Sequence, residues 1–322
     1  VKVLVLLSGG LDSALVVKIL QSQNIDVVGV NFSTAFTKPI PQKLIESLEI
    51  PVKTIKCGKD YLDLLIKPRF GFGRNANPCI DCHIYMLKKA KALLSRLNAT
   101  FVATGEVLGQ RSMSQNKCML KLIESESGLK GLLLRPLSAR LLAPTEVEKK
   151  DFVKRDRLLG LSGRGRKVQL QFAKEYKLTG FSQPAGGCFL TDPRYSHRIK
   201  DLLKYDELKV KNISLLRMGR HFRIGRKAKF IVGRDKADNG IISEAVKNED
   251  YVIFAPDIAG PIGLARGSLK KDELILCAKI IVYYTKGKPS KRKVLISREK
   301  GNLSLSVEVL PETRTTLDRL LI

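Results

Sequence analysis

The sequence predicts an α/β fold with a mostly parallel sheet, followed by a smaller β-rich or α+β domain. Three observations predict it. Short runs that are apolar throughout alternate with helical patterns over the first part of the chain, as strands buried on both faces require. A glycine-rich turn separates the first such run from the first helix, in VKVLVLLSGGLDSALVVKIL. After about residue 205 the pattern changes to strand runs joined by turns.

In chain order, 3–7 reads as a buried strand, 11–22 as a helix and IDVVGVNF (25–32) as a second strand. Pro41 stands where a helix can start, ahead of QKLIESL, because proline tolerates a helix's first turn. PVKTIKC (51–57) is a third strand, and 59–66 a short helix stopped by Pro68. GFGRNANPC (71–79) is a loop rich in glycine and asparagine, 83–97 a helix, and ATFVATGE (99–106) a fourth strand running into a loop. Sites in such sheets gather at the C-terminal ends of the strands. Gly9 and the loops at 32–36, 71–82 and 105–115 are therefore expected on one edge.

GLLLRPLSARLLAP (131–144) closes this domain, expected over 1–148. A basic helical connector is expected over 149–204. It holds the helix RKVQLQFAKEY, the stretch PAGGCFLTDP and a helix at 195–204. Over 205–322, HFRIGRKAKFIVG, EDYVIFAP, ELILCAKIIVYYT, KRKVLISRE and LSLSVEVL all read as strands.

Composition narrows the function. Among 322 residues, 58 Lys and Arg stand against 31 Asp and Glu, a net charge of +27. Lys/Glu enrichment for thermal stability would raise both signs together, whereas this excess is one-sided. It points to a polyanion partner, since neutralised phosphates release counterions and the field steers encounter. No apolar stretch reaches membrane-spanning length, and the apolar start is the length of a strand rather than of a signal peptide. A cytoplasmic protein without membrane contact is expected.

SGGLDS between a strand and a helix reads as a phosphate cradle. Gly9 and Gly10 allow close backbone approach, the helix start presents N–H groups, and the Ser8 and Ser13 hydroxyls can donate. A bare phosphate would repel Asp12, which implies Mg²⁺ between carboxylate and ligand. With no GxxxxGK[ST] present, the P-loop NTPase reading fails, as does the dinucleotide fingerprint.

Six cysteines in a chain of this length are not a secreted disulfide scaffold. NPCIDCH places Cys79 and Cys82 in a CxxC at a loop-to-helix junction, and Cys188 follows two glycines in PAGGC. Redox, zinc and iron–sulfur readings are all open to such thiols, with His83 able to complete a zinc set. Cys57 and Cys277 lie in apolar strand patterns and read as buried small hydrophobes. Cys118 is undecided.

SGGLDS resembles the signature of the N-type ATP pyrophosphatases (the PP-loop superfamily). That resemblance implies an adenine-nucleotide α-hydrolase-like fold in which Ser8, Gly9, Gly10, Asp12 and Ser13 hold pyrophosphate and metal. The run of NPC-x-x-C, ATGE-x-x-GQR, GLLLRPL and PAGGCFLTD over roughly 1–193 resembles the tRNA-uridine 2-thiolases (MnmA-like). Cys82 and Cys188 fall at that family's two reactive positions. Cys79 is a departure, and it resembles the CxxC plus distant cysteine of thiolases that bind [4Fe–4S]. The resemblance therefore implies ATP, Mg²⁺ and a [4Fe–4S] cluster on Cys79, Cys82 and Cys188, with cluster-free persulfide chemistry and zinc as alternatives. It implies adenylation of a uracil carbonyl oxygen and its replacement by sulfur, giving 2- or 4-thiouridine, AMP and pyrophosphate.

The expected partners are tRNA and a sulfur donor, either a cysteine desulfurase-derived persulfide or free sulfide, with a homodimer left open. Asn31, Phe32 and Ser33 are expected at the adenosine, through backbone groups. Gly105 is expected to admit the nucleotide, and Gln110 and Arg111 to reach phosphate. Relatives often carry TGH where this chain has Thr104-Gly105-Glu106, so base catalysis is not expected there. Arg74 and Asn75 are candidates for the target uridine, and Arg164, Arg166 and Lys167 for the tRNA backbone. Arg135 reads equally as a family turn or a buried ion pair. GRHFRIGRKAKFIVGRDKADNGIIS resembles an RNA-binding domain of ribosome-associated quality-control proteins (NFACT-type). Other readings are an ATP-pyrophosphatase amidotransferase or ligase, such as NAD or GMP synthase, and a nonenzymatic RNA-binding factor.

Overall fold

The computed structural model describes residues 1–182, 187–205, 208–287, 289–298 and 303–322, without the side chains of Val210, Lys211 and Leu303. The chain divides into two units, Val1–Asp192 and Pro193–Ile322. The stretch expected as a connector is thus shared between them. Its first part belongs to the first unit because Val153, Leu158, Ala173 and Leu178 are buried in that unit's core.

The first unit runs β1 (Lys2–Leu6), α1 (Leu11–Gln21), β2 (Asp26–Ser33), α2 (Gln42–Leu48), β3 (Val52–Lys56), α3 (Lys59–Ile66), α4 (Cys79–Leu93), β4 (Phe101–Ala103), α5 (Lys117–Glu126), β5 (Leu133–Leu134), α6 (Glu146–Lys149) and α7 (Lys167–Glu175). Its five strands are parallel in the order β3-β2-β1-β4-β5. Alternation along β1 serves two cores at once. Val3 and Val5 pack with α1, α2 and α7 on one face, and Leu4 with Phe32, Val102 and the helices α4 and α5 on the other. The chain direction reverses outward from β1 and β4, so a crevice opens beyond their C-terminal ends.

The second unit runs α8 (Pro193–Lys204), α9 (Val210–Ile213), β6 (Arg220–Ile224), β7 (Ala228–Val232), α10 (Lys236–Glu244), β8 (Tyr251–Phe254), β9 (Gly263–Gly267), α11 (Lys271–Tyr284), β10 (Arg292–Arg298), β11 (Leu303–Val309) and α12 (Arg314–Leu320). Its antiparallel sheet has the order β11-β10-β8-β9-β7-β6. The expected strand in ELILCAKIIVYYT is instead the helix α11. Leu274, Cys277, Ala278 and Ile281 recur at helical spacing on its buried face. The Glu273 carboxylate accepts from the Lys270 backbone N–H at 2.7 Å, closing the first turn. Cys277 is buried as expected, but in a helix.

Candidate nucleotide and thiol site

The turn after β1 holds its own shape. Gly9 adopts φ +78°, a conformation that suits glycine. The Ser13 hydroxyl donates to the Gly10 carbonyl at 3.0 Å and receives the Ser8 N–H at 3.3 Å. The Ser8 and Ser13 hydroxyls lie 3.3 Å apart, and the Gly10 N–H reaches the Ser8 hydroxyl at 3.4 Å. Both serines therefore shape the loop, and the start of α1 is left with N–H donors for an anion.

Asp12 receives a hydrogen bond from Gln110 Nε2 on Oδ2 at 3.0 Å, while its Oδ1 is buried without a hydrogen-bond partner among the described residues. A buried carboxylate oxygen with no donor fits a hard cation, so Asp12 is a suitable ligand for Mg²⁺. Gln110, expected at phosphate, thus stands against the Asp12 carboxylate at the nucleotide turn.

Gly105, expected to admit the nucleotide, packs against the nucleotide turn. A Cβ there would lie 2.6 Å from the Ser13 nitrogen and 2.7 Å from the Asp12 carbonyl carbon. The missing side chain lets the loop after β4 lie directly against the α1 start. Asn31 is likewise structural on its side-chain side, because its buried amide donates to the Leu7 carbonyl at 2.9 Å and fixes the strand end that feeds the turn. The Phe32 ring is buried in the core, so only its backbone can face a ligand, and Ser33 is half-buried beside it.

Three chain segments close over this edge. Ser182 donates its backbone N–H to Gly9 at 2.9 Å, and Phe189 donates to Phe36 at 2.9 Å. Cys188 pairs with Thr37 in an antiparallel bridge. Asn75, expected at the target base, donates from its side chain to the Thr191 carbonyl at 2.6 Å, tying the loop ahead of the CxxC to the Cys188 turn. Pro184, Ala185 and Gly186 of the PAGGC stretch lie outside the described residues. Arg74 is exposed. Ser162 bridges Leu108, so the basic stretch of Arg164, Arg166 and Lys167 starts beside the loop after β4, with Arg164 and Lys167 exposed and Arg166 half-buried.

The thiols meet in this region. α4 begins at Cys79, so Cys79 and Cys82 occupy its first turn, four residues before the expected start. The Asn77 amide donates to Cys79 Sγ at 3.2 Å, and the buried Tyr61 hydroxyl lies 3.2 Å from Cys82 Sγ. Burial pushes the Cys82 thiol up to about 12, against the opposing hydrogen bond from Tyr61 and with Cys188 and Cys79 adding to the rise. Burial also raises Cys188, to about 11; backbone N–H groups of Leu190 and Thr191 and the Arg111 charge oppose it, and Cys79 reinforces it. Cys79, Cys82 and Cys188 are thus brought within one another's electrostatic reach, with Arg111 beside them. Among the described residues, however, no three Cys, His, Asp or Glu side chains form a metal-holding group. Cys79 and Cys82 instead have hydrogen-bond partners of their own, the Asn77 amide and the Tyr61 hydroxyl, so the residues as placed do not form a ready-made cluster site. Cys118 is exposed.

Glu106, His83 and Arg135 form a network that local spacing does not reveal. Glu106 Oε2 accepts from Arg135 Nε at 3.0 Å and from the Thr104 hydroxyl at 2.9 Å, while Oε1 lies 2.8 Å from His83 Nδ1. Arg135 also donates to Glu124 at 2.9 Å and to the Leu120 carbonyl at 2.9 Å. Burial would raise the Glu106 carboxyl, but the Arg135 guanidinium, with His83 and Thr104, holds it down to about 2. An ionised, fully engaged carboxylate is a brace for the loop after β4. Sequence reasoning also missed Tyr61, whose hydroxyl meets Cys82 Sγ. Cys57, expected as a buried small hydrophobe, is half-buried just after β3 and packs against that unit's core.

Residues 1–143 match the family described as tRNA methyl transferase HUP domain, and residues 219–319 the family described as NFACT protein RNA binding domain. The tRNA-specific 2-thiouridylase MnmA of Karelsulcia muelleri is 29% identical over 128 residues, covering 36% of this chain and 33% of that protein. MnmA 2 of Fusobacterium nucleatum is 27% identical over 165 residues, 48% of each chain. The chain thus spans about a third to a half of the length of these curated relatives. A solved 4-thiouridine synthetase–RNA complex with bound ATP aligns at a TM-score of 0.37 and 20% identity, over 66% of this chain and 52% of that one. The first unit is a parallel-sheet domain that resembles the PP-loop tRNA thiolases, and the second is an antiparallel-sheet domain with an NFACT-type match.

Proposed function

We propose that the protein is an ATP-dependent tRNA uridine sulfurtransferase. One observation carries the reading: the PP-loop turn and the thiols of Cys82 and Cys188 are drawn to the same sheet edge, by the Ser182–Gly9 and Phe189–Phe36 backbone bonds and by the Asn75 tie. ATP phosphates would lie against Gly9, Gly10 and the start of α1. Asp12 would hold Mg²⁺ through its free oxygen, and that ion would neutralise charge on the departing pyrophosphate. Adenylation turns a uracil carbonyl oxygen into a good leaving group as AMP. The Arg111 charge favours an anionic sulfur over the buried thiol at Cys188.

Sulfur then arrives as a persulfide on Cys82 or Cys188. Its outer sulfur attacks the activated carbon and AMP leaves. The other cysteine attacks the inner sulfur, freeing the thiouridine and leaving a Cys82–Cys188 disulfide that an external thiol must reduce before the next turnover. The half-buried thiols beside the buried Tyr61 support a pocket in which water competes little for the adenylate.

The test is ATP-dependent thionation of bulk tRNA by the anaerobically purified protein, read by nucleoside mass spectrometry, which also separates 2- from 4-thiouridine. Asp12→Asn is expected to abolish AMP release while tRNA binding persists. Unchanged AMP release would reject the metal role, and absence of any thionucleoside from the wild type with a persulfide donor and thiol reductant would reject the sulfur transfer. Stoichiometric iron with absorbance near 400 nm, lost together with activity in Cys79→Ser, would replace the persulfide route with the cluster route.

A further inference from the structure

We propose that the start of α7 is a built phosphate seat, floored by the buried amide of Gln169, and that it takes a backbone phosphate of tRNA. The inference rests on the tRNA-substrate reading above and adds where on the chain one phosphate is held. α7 is a nine-residue helix that opens without a side-chain cap and without an acidic residue in its first turn. The Leu170 N–H donates to the Arg166 carbonyl at 2.9 Å, so the N–H groups of 167–169 stand outside the helical ladder.

Burial is inverted at this end of the helix. Val168 and Leu170 are exposed, whereas Gln169 between them is only 2% exposed. Gln169 lies one turn ahead of Ala173, which is buried in the core of the unit. Helix side chains lean toward the N-terminus, so the amide is carried back under the first turn. Gln169 Nε2 and Arg166 Nε are both buried with no hydrogen-bond partner among the described residues. Two buried donors left unpaired at the positive end of a helix point to an anion. A purely structural position would be better served by an apolar side chain of the same length.

The approach to this seat is open and cationic. A Cβ on Gly163 or Gly165 would meet nothing within 4 Å, and Arg164 and Lys167 are exposed on either side of the half-buried Arg166. The stretch is tied to the loop after β4. The Gly163 N–H donates to the Leu108 carbonyl at 2.7 Å. Ser138 Oγ accepts from the Leu108 N–H at 2.9 Å and donates to the Leu161 carbonyl at 2.7 Å. Two residues past Leu108, Gln110 meets Asp12. ATP phosphates have the start of α1; α7 offers a second set of N–H groups beside three cations within residues 164–167, as a polyanion's backbone requires.

The test measures binding of bulk tRNA to the full-length protein over a salt series without ATP, and binding of a non-hydrolysable ATP analogue by calorimetry without tRNA. Gln169→Met keeps the length and removes the donor, and Gln169→Glu sets a carboxylate against the phosphate. Each is expected to weaken tRNA binding by about tenfold, as loss of a hydrogen bond to a charged group does. In Gln169→Glu the salt slope should also become shallower by about 0.8, one phosphate contact. Affinity for the ATP analogue should stay at the wild-type value. Gln169→Met should melt at or above the wild-type temperature, because it removes an unpaired buried donor, and it decides alone if Gln169→Glu does not fold. Wild-type tRNA affinity in folded Gln169→Met overturns the proposal, and a lower melting temperature with it would make the amide structural. A loss confined to the ATP analogue overturns it too, by giving the seat to the nucleotide. Because binding is read without turnover, weaker tRNA binding in a chain that never thionates tRNA keeps the seat and sinks the sulfurtransferase reading, and the reverse result sinks only the seat.

Discussion

Glu106 and Arg135 show how a single carboxylate can brace a site without entering its chemistry. The Glu106 carboxyl is held at about 2, below the ordinary 4.5, so its contribution to stability is fully present above about pH 4.5 and is lost as pH falls toward 2. Glu106→Gln is expected to lower stability by about 3 kcal/mol, since it leaves a buried guanidinium with only Glu124 as a charged partner. It should also flatten the acid limb of a plot of melting temperature against pH between those values. An unchanged acid limb would show that the network is not what titrates. Gly105 is the second residue of this kind. Gly105→Ala drives a methyl group into the backbone of Ser13 and Asp12, so overpacking of about 1–3 kcal/mol is expected, with AMP formation falling more steeply than tRNA binding. The nucleotide turn was legible because its signature is contiguous: glycines, hydroxyls and carboxylate lie within six residues. The brace was legible only at Arg135, where a buried ion pair was one of two readings and is what the fold shows, because its partners Thr104, Glu106 and His83 meet it only in the fold. Its one sequence sign was a charged residue in each of two otherwise apolar stretches.

At the scale of elements, period-two burial on β1 and uniformly apolar strands made the parallel sheet readable, while α11 was misread because its second half, IIVYY at 280–284, is a run of β-branched and aromatic residues. Length and spacing should have decided against propensity: fourteen residues with buried positions at 274, 277, 278 and 281 make a helix. Elements joined by loops were harder still. The stretch 187–191 carries Cys188 to the sheet edge, and nothing in its spacing said which loop would hold it. Asn75 does so through one bond to the Thr191 carbonyl, and the Thr191 hydroxyl in turn donates to the Cys188 carbonyl at 2.7 Å. Removing that bond with Asn75→Ala is expected to cost about 1 kcal/mol and to speed alkylation of Cys188 about fivefold, with Cys79 serving as internal control. Equal rates in wild type and variant would mean that the backbone bonds to Phe36 alone hold the turn.

The whole molecule carries +27, of which +10 falls within 201–322, so the cationic surface is not confined to the PP-loop unit. For a protein reading tRNA largely by its phosphates, affinity should fall steeply and linearly on a log–log plot against salt. Arg164, Arg166 and Lys167 test whether the first unit contributes to that footprint. They follow Ser162, which bridges Leu108 beside the nucleotide loops, and Arg164 and Lys167 point into solvent. Replacing all three by glutamine should make the salt slope shallower by about 2, as loss of three single-strand-like phosphate contacts predicts. KM for tRNA should rise while kcat at saturating tRNA is kept, because none of the three side chains forms part of the turn, the Asp12 carboxylate or the thiol cluster. A fall in kcat with an unchanged salt slope would place these residues in the chemistry rather than in docking. An unchanged slope with unchanged KM would assign the footprint to other cations of the chain.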